Sequence, residues 1–360
     1  MPPLEVRHER LRRQRISGEK PANPATLVSW MGAVQAQDYG SAKWAVGLRT
    51  DRCTDDRVEE ALTNGEILRT HILRPTWHFV APEDIRWMQM LTAPRVQALM
   101  AYHYRLSGLS PAMLRRADTV IAKALEGGHE RTKAEIGAAL AKARIPTAGL
   151  ALGNILMHAE LEALICSGGR RGKQFTYALL EERAPQAAKL YREEALARLT
   201  ERYFASHGPA TLRDLAWWSG LSMQDIKAGV GQVGSKLTSE TIGEREYWMS
   251  ESAPAVKGRR GSVHLLPIYD EYVVGYTDRR DVFEDVHTQG LDARHNPLYQ
   301  NIIVSGGMIA GNWKRTLSRR GISIEAKFFE EPTKAEVRAL GLAAKRLSAF
   351  MGAPIADFSL

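Results

Sequence analysis

Cysteine is nearly absent: Cys53 and Cys166 are the two in 360 residues, far apart and in unlike surroundings. That excludes a disulfide scaffold and a zinc-finger spacing, and it fits a reducing compartment. Long apolar runs are missing too. No stretch approaches the roughly 18–20 consecutive apolar residues of a membrane span. The opening MPPLEVRHERLRRQR is charged and lacks the apolar core of a secretory signal. The expectation is a cytoplasmic, nucleoid-associated protein with no membrane contact. Chemical landmarks are also few. The ten histidines form no His-x-x-x-His pair, and His71 and His78 straddle Pro75 with no cysteine nearby, so no metal is expected. Gly306-Gly307 leads to no Lys-Ser/Thr pair, which argues against nucleotide triphosphate hydrolysis. Acids with metal-ligand spacing are lacking, which argues against a metal-dependent nuclease. No cofactor is expected.

What is there is ordinary in bulk and basic in balance. Hydrophobic residues make up 44% and charged residues 25%, enough apolar side chain for large cores. The length suggests two or three compact units. Lys plus Arg number 49 against 41 Asp plus Glu, a net +8 that suggests a polyanionic partner. The basic residues cluster. Arg170, Arg171 and Lys173, then Lys257, Arg259 and Arg260, then Lys314, Arg315, Arg319 and Arg320 each fall in an acid-free, glycine-containing stretch. One such loop is ordinarily just solvated. Three of them, in turns where glycine lets a backbone come close, are candidate phosphate contacts.

Periodicity gives the organisation. Leu4 to Gln14 reads as a short basic helix, and Pro24 to about Gln35 as another, with Leu27, Val28, Met31 and Val34 on one face. A helix from Ser41 and one capped by Asp55 follow. Ile67 to Leu73 and Thr76 to Val80 then read as strands bent at Pro75, before a helix from Pro82. From Ser110 to Leu180 the order is helix, helix and basic hairpin, with Thr132 and Glu135 as a capping box. The order returns from Glu194 to Met249, where Thr211 and Asp214 repeat that start. Helix-turn-helix followed by a hairpin is the winged-helix order, and two copies strengthen each other. Val263 to Tyr276, Asn301 to Ile309 and Gly321 to Phe329 are β-rich, and a helix capped by Thr333 and Glu336 closes the chain. The expected fold class is therefore α+β. Tandem winged-helix modules over 1–105, 106–185 and 190–250 precede a β-rich domain over 256–360.

Two motifs are candidates for chemistry. Asp270 and Glu271 resemble the paired carboxylates of glycosidases, but in a strand adjacent side chains point to opposite faces, which favours a structural role. Gln35 and Gln37, two apart in AVQAQDYGSAKWAVGLR, would alone read as a solvated helix end.

Three segments change that weighing. AVQAQDYGSAKWAVGLR, LRTHILRPTWHFVAPEDIRWM and LLPIYDEYVVGYTDR, in this order and spacing, resemble the AlkZ-type winged-helix DNA glycosylases, the azinomycin-resistance glycosylase branch. The resemblance spans nearly the whole chain. It implies tandem winged helices plus a β-domain in a C shape around DNA, excision of N7-alkylated purines, and unhooking of interstrand crosslinks. The family's catalytic Gln-apolar-Gln falls on Gln35, Ala36 and Gln37. The sister branch typified by YcaQ has Asp at the second polar position, so Gln37 places the chain on the AlkZ side.

The chemistry follows without the name. A base must leave the stack before a side chain reaches its glycosidic bond, at a cost of a few kcal/mol. An N7-alkylguanine is already cationic and departs without protonation. The protein then has to orient a water and stabilise an oxocarbenium-like sugar, which a glutamine carbonyl can help do without titrating. Gln37 is expected to orient the water with Gln35 as its partner. No lysine stands out as a Schiff-base nucleophile, so a monofunctional glycosylase is expected; its expected partner is double-stranded DNA, and its expected state a monomer. Asp38, Trp77 and His78 are candidate lesion contacts, and Arg74 a candidate phosphate contact. The alternative is a non-catalytic winged-helix regulator or architectural protein, which the repeated modules and large β-region fit less well.

Overall fold

The computed structural model describes residues 3–251, 262–284, 286–287 and 296–360. Lys257, Arg259 and Arg260 lie outside the described residues. The chain opens with α1 (Pro3–Arg13), α2 (Pro24–Met31), β1 (Ala33–Gln35), α3 (Tyr39–Arg49), α4 (Asp55–Thr63), β2 (Leu68–Ile72), β3 (Arg74–Val80) and α5 (Ile85–Leu106). Two expectations are corrected here. The helix begun at Pro24 ends at Met31, because Gly32 turns to φ 79° and Ala33–Gln35 leaves to pair with β3. Val34 is buried either way, so its periodicity could not distinguish the two. The cap of α4 is Thr54, whose hydroxyl accepts from Arg57 N–H, and Asp55 occupies the first turn. The three strands form an antiparallel sheet in the order β1-β3-β2, with Gln35 and Thr70 both opposite His78.

Next come α6 (Pro111–Leu125), β4 (Arg131–Thr132), α7 (Lys133–Lys142), α8 (Ala151–Leu161), β5 (Ile165–Ser167), β6 (Thr176–Leu179) and α9 (Leu180–Arg183). Their sheet order, β4-β6-β5, repeats that of the first sheet. Then α10 (Arg192–Ser206), α11 (Leu212–Ser219), α12 (Met223–Val233), β7 (Leu237–Ile242) and β8 (Arg245–Ser250) follow, with Ala210 bridged to Trp248 of β8. Among the described residues one order thus occurs three times: helix, short strand, two helices, and a hairpin whose second strand pairs with the short one. Thr132–Glu135 and Thr211–Asp214 are both complete capping boxes. Each satisfies orphan N–H groups at a helix start, worth about 1 kcal/mol.

The last third holds β9 (Val263–Leu266), α13 (Glu271–Val274), β10 (Ile302–Ser305), β11 (Met308–Ser318), β12 (Gly321–Phe328), α14 (Lys334–Met351) and β13 (Ile355–Ser359). The sheet order is β13-β12-β11-β10-β9, antiparallel except where β13 joins β12. The run expected as strand to Tyr276 is strand only to Leu266. Pro267 follows, Tyr269 turns at φ 60°, and Asp270 caps α13 by accepting from Tyr272 N–H. A continuous apolar run does not separate a buried strand from a buried helical turn.

The cores do not follow the sequence divisions. Leu27, Val28, Trp44 and Leu48 share one cluster with Leu265, Ile303, Trp313 and Leu347 of the C-terminal third. Leu68, Val80, Trp87 and Met88 join Tyr203, Phe204 and Trp218 in a second. Residues 104–177 close most of a third around Leu114, Ile121, Ile136 and Ile155. A buried bidentate pair, Arg49 to Asp270 at 2.6 and 2.8 Å, ties α3 to the start of α13. Among the described residues no helix is long and apolar enough to cross a membrane.

Candidate active site

The glutamine motif joins β1 to α3, and its main chain is held on every side. Gln35 N–H donates to Glu271 Oε1 at 2.7 Å, and Ala36 N–H to the Trp77 carbonyl at 2.7 Å. The Ala36 carbonyl accepts from Arg69 Nε and Nη2 at 3.2 and 3.1 Å. Ala36 is fully buried, which requires a small apolar residue between the two glutamines. Asp38 then starts α3, its Oδ1 accepting from Ser41 N–H at 2.8 Å.

The two glutamines differ in setting. Gln35 is half-buried and shares a sheet face with its cross-strand partner His78. Along β3 that face also carries Thr76 and Arg74. Gln35 Oε1, Thr76 Oγ1, His78 Nε2 and Arg74 Nε and Nη2 are all buried, and none has a hydrogen-bond partner in the protein. Buried polar atoms of this kind are costly unless a water or a bound molecule completes them. Gln37 is exposed, and with Trp77, Arg69, His71, Phe175 and Tyr177 it lines a cavity of about 740 Å³. This space lies between the first sheet and the α7–α8 region, where Leu150, Leu156 and Met157 add apolar surface.

Glu271, read from sequence as structural, sits directly behind the motif. It has no exposed surface, and its Oε2 accepts from Trp218 Nε1 at 3.0 Å with His207 Nε2 at 3.4 Å. Burial alone would raise its pKa; the hydrogen bonds from His207 and from Gln35 N–H oppose it, and the pKa lies below the usual glutamate value. Burial lowers the His207 pKa in turn. The strand that the sequence argument assumed is a helical turn; the clue available was Asp270 placed as a helix cap.

The other candidates fall in different places. Trp77 is half-buried at the cavity, its ring 4.4 Å from the Arg69 guanidinium and 4.3 Å from the His71 ring. His78 corrects an expectation: it has no exposed surface and does not line the cavity. Its Nδ1 lies 3.0 Å from the Thr76 carbonyl, and burial with the nearby Arg74 charge pushes its pKa down to about 3. The Asp38 carboxylate is engaged as a helix cap. Arg74 lies 5.7 Å over the Trp217 ring, and Arg279, which sequence reasoning missed, lies 5.9 Å over it.

The loop carrying Arg170 and Arg171, acid-free in sequence, is not so in space. Arg170 reaches Glu59 at 3.3 Å and stacks on Tyr39 and Phe175 at 5.0 and 5.2 Å. Arg171 pairs with Glu135 at 2.9 Å. Lys173 stays exposed at the cavity. Lys314, Arg319 and Arg320 are exposed along β11 and its turn into β12, beside an exposed Leu317. Arg315 is partly buried, near Gly40 and within electrostatic reach of Asp38. No cluster of three or more His, Cys, Asp or Glu that could hold a metal occurs among the described residues.

The chain was then set against known proteins. A family model described as DNA glycosylase AlkZ-like matches residues 28–350. A protein of Streptomyces sahachiroi described as an interstrand DNA cross-link repair glycosylase is 22% identical over 317 residues, 85% of each chain. The solved structure of Streptomyces sahachiroi DNA glycosylase AlkZ superposes with a TM-score of 0.81 at 19% identity, covering 99% of both chains. That likeness extends the α+β architecture across the full length.

Proposed function

The chain belongs to the AlkZ-like DNA glycosylase family, and on that footing we propose that it hydrolyses the N-glycosidic bond of cationic N7-alkylpurines in duplex DNA. Water adds to the sugar C1′, the base departs neutral with the bonding electron pair, and a proton passes to solvent. The product is an abasic site, with no covalent enzyme intermediate. The observation that carries this reading is the contrast within the motif. The main-chain groups of Gln35 N–H and Ala36 are hydrogen-bonded, while the Gln35 side-chain oxygen has no protein donor and Gln37 stands at the open cavity. Gln37 orients the attacking water, and Gln35 presents partial negative charge toward the sugar. Neither group protonates a leaving base, so the lesion must bring its own charge.

Duplex binding falls to the three repeated modules, read here as winged helices, and to exposed bases. Lys173, Lys314, Arg319 and Arg320 are the freest phosphate contacts; Arg171 joins them by exchanging Glu135 for phosphate. Arg74 and Arg315 contact the strand nearer the motif; Lys257, Arg259 and Arg260, outside the described residues, are candidate phosphate contacts from the sequence alone. The S. sahachiroi relative is named for interstrand cross-link repair. The roomy, largely apolar space beside Gln37 would accept a bulky or crosslinked adduct in this chain as well. We take the active unit to be a monomer.

The test is a duplex with a single N7-methylguanine, incubated with the protein and treated with alkali. Strand breakage at the lesion, absent without protein, is the expected result. No alkali-labile site under single-turnover conditions would overturn the assigned lesion class.

A further inference from the structure

We propose that Glu271 is the buried counter-charge of the reaction, a positioning residue that fixes Gln35 and stabilises positive charge on the sugar without touching it. The proposal rests on the function above and deepens it. The carboxylate is fully buried and reaches the motif from 236 residues away, accepting from Gln35 N–H. Its hydrogen-bond donors are an amide, an indole and an imidazole. Among the described residues no lysine or arginine hydrogen-bonds to it.

Its neighbour supplies the contrast. Asp270 is equally buried, but Arg49 neutralises it with two hydrogen bonds. A buried carboxylate usually needs such a cation, because dipoles alone offset desolvation poorly. A carboxylate held by neutral dipoles keeps a field that extends beyond its ligands. Arg74 lies within electrostatic reach, and it makes no hydrogen bond to Glu271. The histidines that face the carboxylate, His207 and His78, are both pushed toward the neutral form by burial.

That field explains how two uncharged glutamines serve where glycosidases use carboxylates. As the glycosidic bond breaks, positive charge moves from the base to the sugar. A negative charge one hydrogen bond behind Gln35 favours that movement, and the low-dielectric surroundings weaken it little. The carboxylate is sealed from the sugar, so it cannot act as a nucleophile.

The experiment compares binding of two duplexes by the full chain. One carries a protonated pyrrolidine in place of the abasic sugar, a cation at the oxocarbenium position; the other carries neutral tetrahydrofuran. The wild type should prefer the cation by about tenfold or more. Glu271→Gln should lose about tenfold of that preference, keep its affinity for tetrahydrofuran, and excise N7-methylguanine correspondingly more slowly. A general structural defect would weaken both duplexes alike. An unchanged ratio in a folded Glu271→Gln, or no preference in the wild type, would overturn the proposal. If Glu271→Gln does not fold, the wild-type ratio at low and high salt decides. A buried charge keeps the preference as salt rises, whereas a preference that vanishes comes from surface charge and sinks the assignment. Wild-type excision without a cation preference would remove Glu271 alone; absence of excision would remove the lesion class on which it rests.

Discussion

The first and second repeats share a topology and differ at one joint. In the second, Thr132 ends the short strand and caps the next helix at once, with its N–H and hydroxyl both bonded to Glu135 Oε2 at 2.7 and 3.0 Å. The third is built alike, with Thr211 directly after the bridging Ala210. In the first, Ala36 and Gln37 stand between the last strand residue and the cap Asp38, and Ser41 occupies the position of the box acid. A local stabilising device is therefore missing where the motif lies, and a buried glutamine oxygen is left unpaired. Sequences that specify a fold consistently tend to break their own rules at functional positions, and here the break is visible against two intact copies.

The strongest way to break this comparison is to remove Gln37. Gln37→Ala should lower single-turnover excision by roughly 10²-fold or more, the scale of a lost water-activating group. DNA affinity and melting temperature should barely change, because the side chain is exposed. Normal excision, or an unfolded variant, would make the extra residues of the first joint structural. A related measurement varies the lesion instead. Cationic N7-alkylguanine or N3-alkyladenine should leave at least an order of magnitude faster than uracil or 1,N6-ethenoadenine, at any adduct size. Efficient uracil release would require a proton donor. Asp38 is engaged as a cap and His78 is held neutral, so neither is placed to serve.

A third measurement uses pH. His78 of the first sheet and His264 of β9 are both buried, with pKa values pushed down to about 3. Below about pH 6.5 the unfolded chain takes up these protons while the folded protein does not. Stability should therefore fall as pH drops from about 6.5 toward 3, by up to about 1.4 kcal/mol per pH unit for each histidine. Melting temperatures between pH 7 and 5 should show it, and His78→Gln should flatten the slope. An unchanged slope would mean that His78 takes up its proton in the folded state.

How far the sequence could be read follows from the same residues. Capping boxes and hairpins were legible, because Thr-x-x-acid and glycine act locally. The glutamine motif was legible only in company: Gly32 is a local stop signal, but Val34 carries the apolar spacing past it and masks the change from helix to strand. Glu271 was placed on a strand rather than a helical turn, because its contacts with Gln35, Trp218 and His207 are distant in sequence. The same limit affected the basic loops. Arg170 and Arg171 lack acids nearby in sequence, but Glu59 and Glu135 come from other elements.

Those two arginines sharpen the comparison by a smaller effect. Lys173→Ala should flatten the salt dependence of duplex affinity by about one unit of slope, the release expected from one phosphate contact. Arg171→Ala should do the same only if the Glu135 pair opens for phosphate. Arg170→Ala should leave the slope unchanged and instead lower stability, because its guanidinium is packed between Tyr39, Phe175 and Glu59 where the first and second repeats meet. A flattened slope for Arg170→Ala would move that side chain from the joint to the DNA face.

The smallest expected effect is the mirror of the first. Thr132→Ala removes the hydroxyl that accepts from Glu135 N–H, and leaves the Glu135 carboxylate with one fewer donor. The loss should be about 1 kcal/mol of stability, the ordinary cost of deleting an N-cap. Thr132 also borders the cavity that holds Gln37, so proximity alone would predict a slower reaction. The division between the repeats predicts otherwise: excision under single-turnover conditions should stay within about twofold, since a cap holds its own helix and neither glutamine leans on it. Paired measurement of melting and excision then separates the readings. A stability loss with normal rate keeps the second repeat as scaffold. A rate loss as large as that of Gln37→Ala, in a protein that melts normally, would place Thr132 in the site and end the distinction between the two joints.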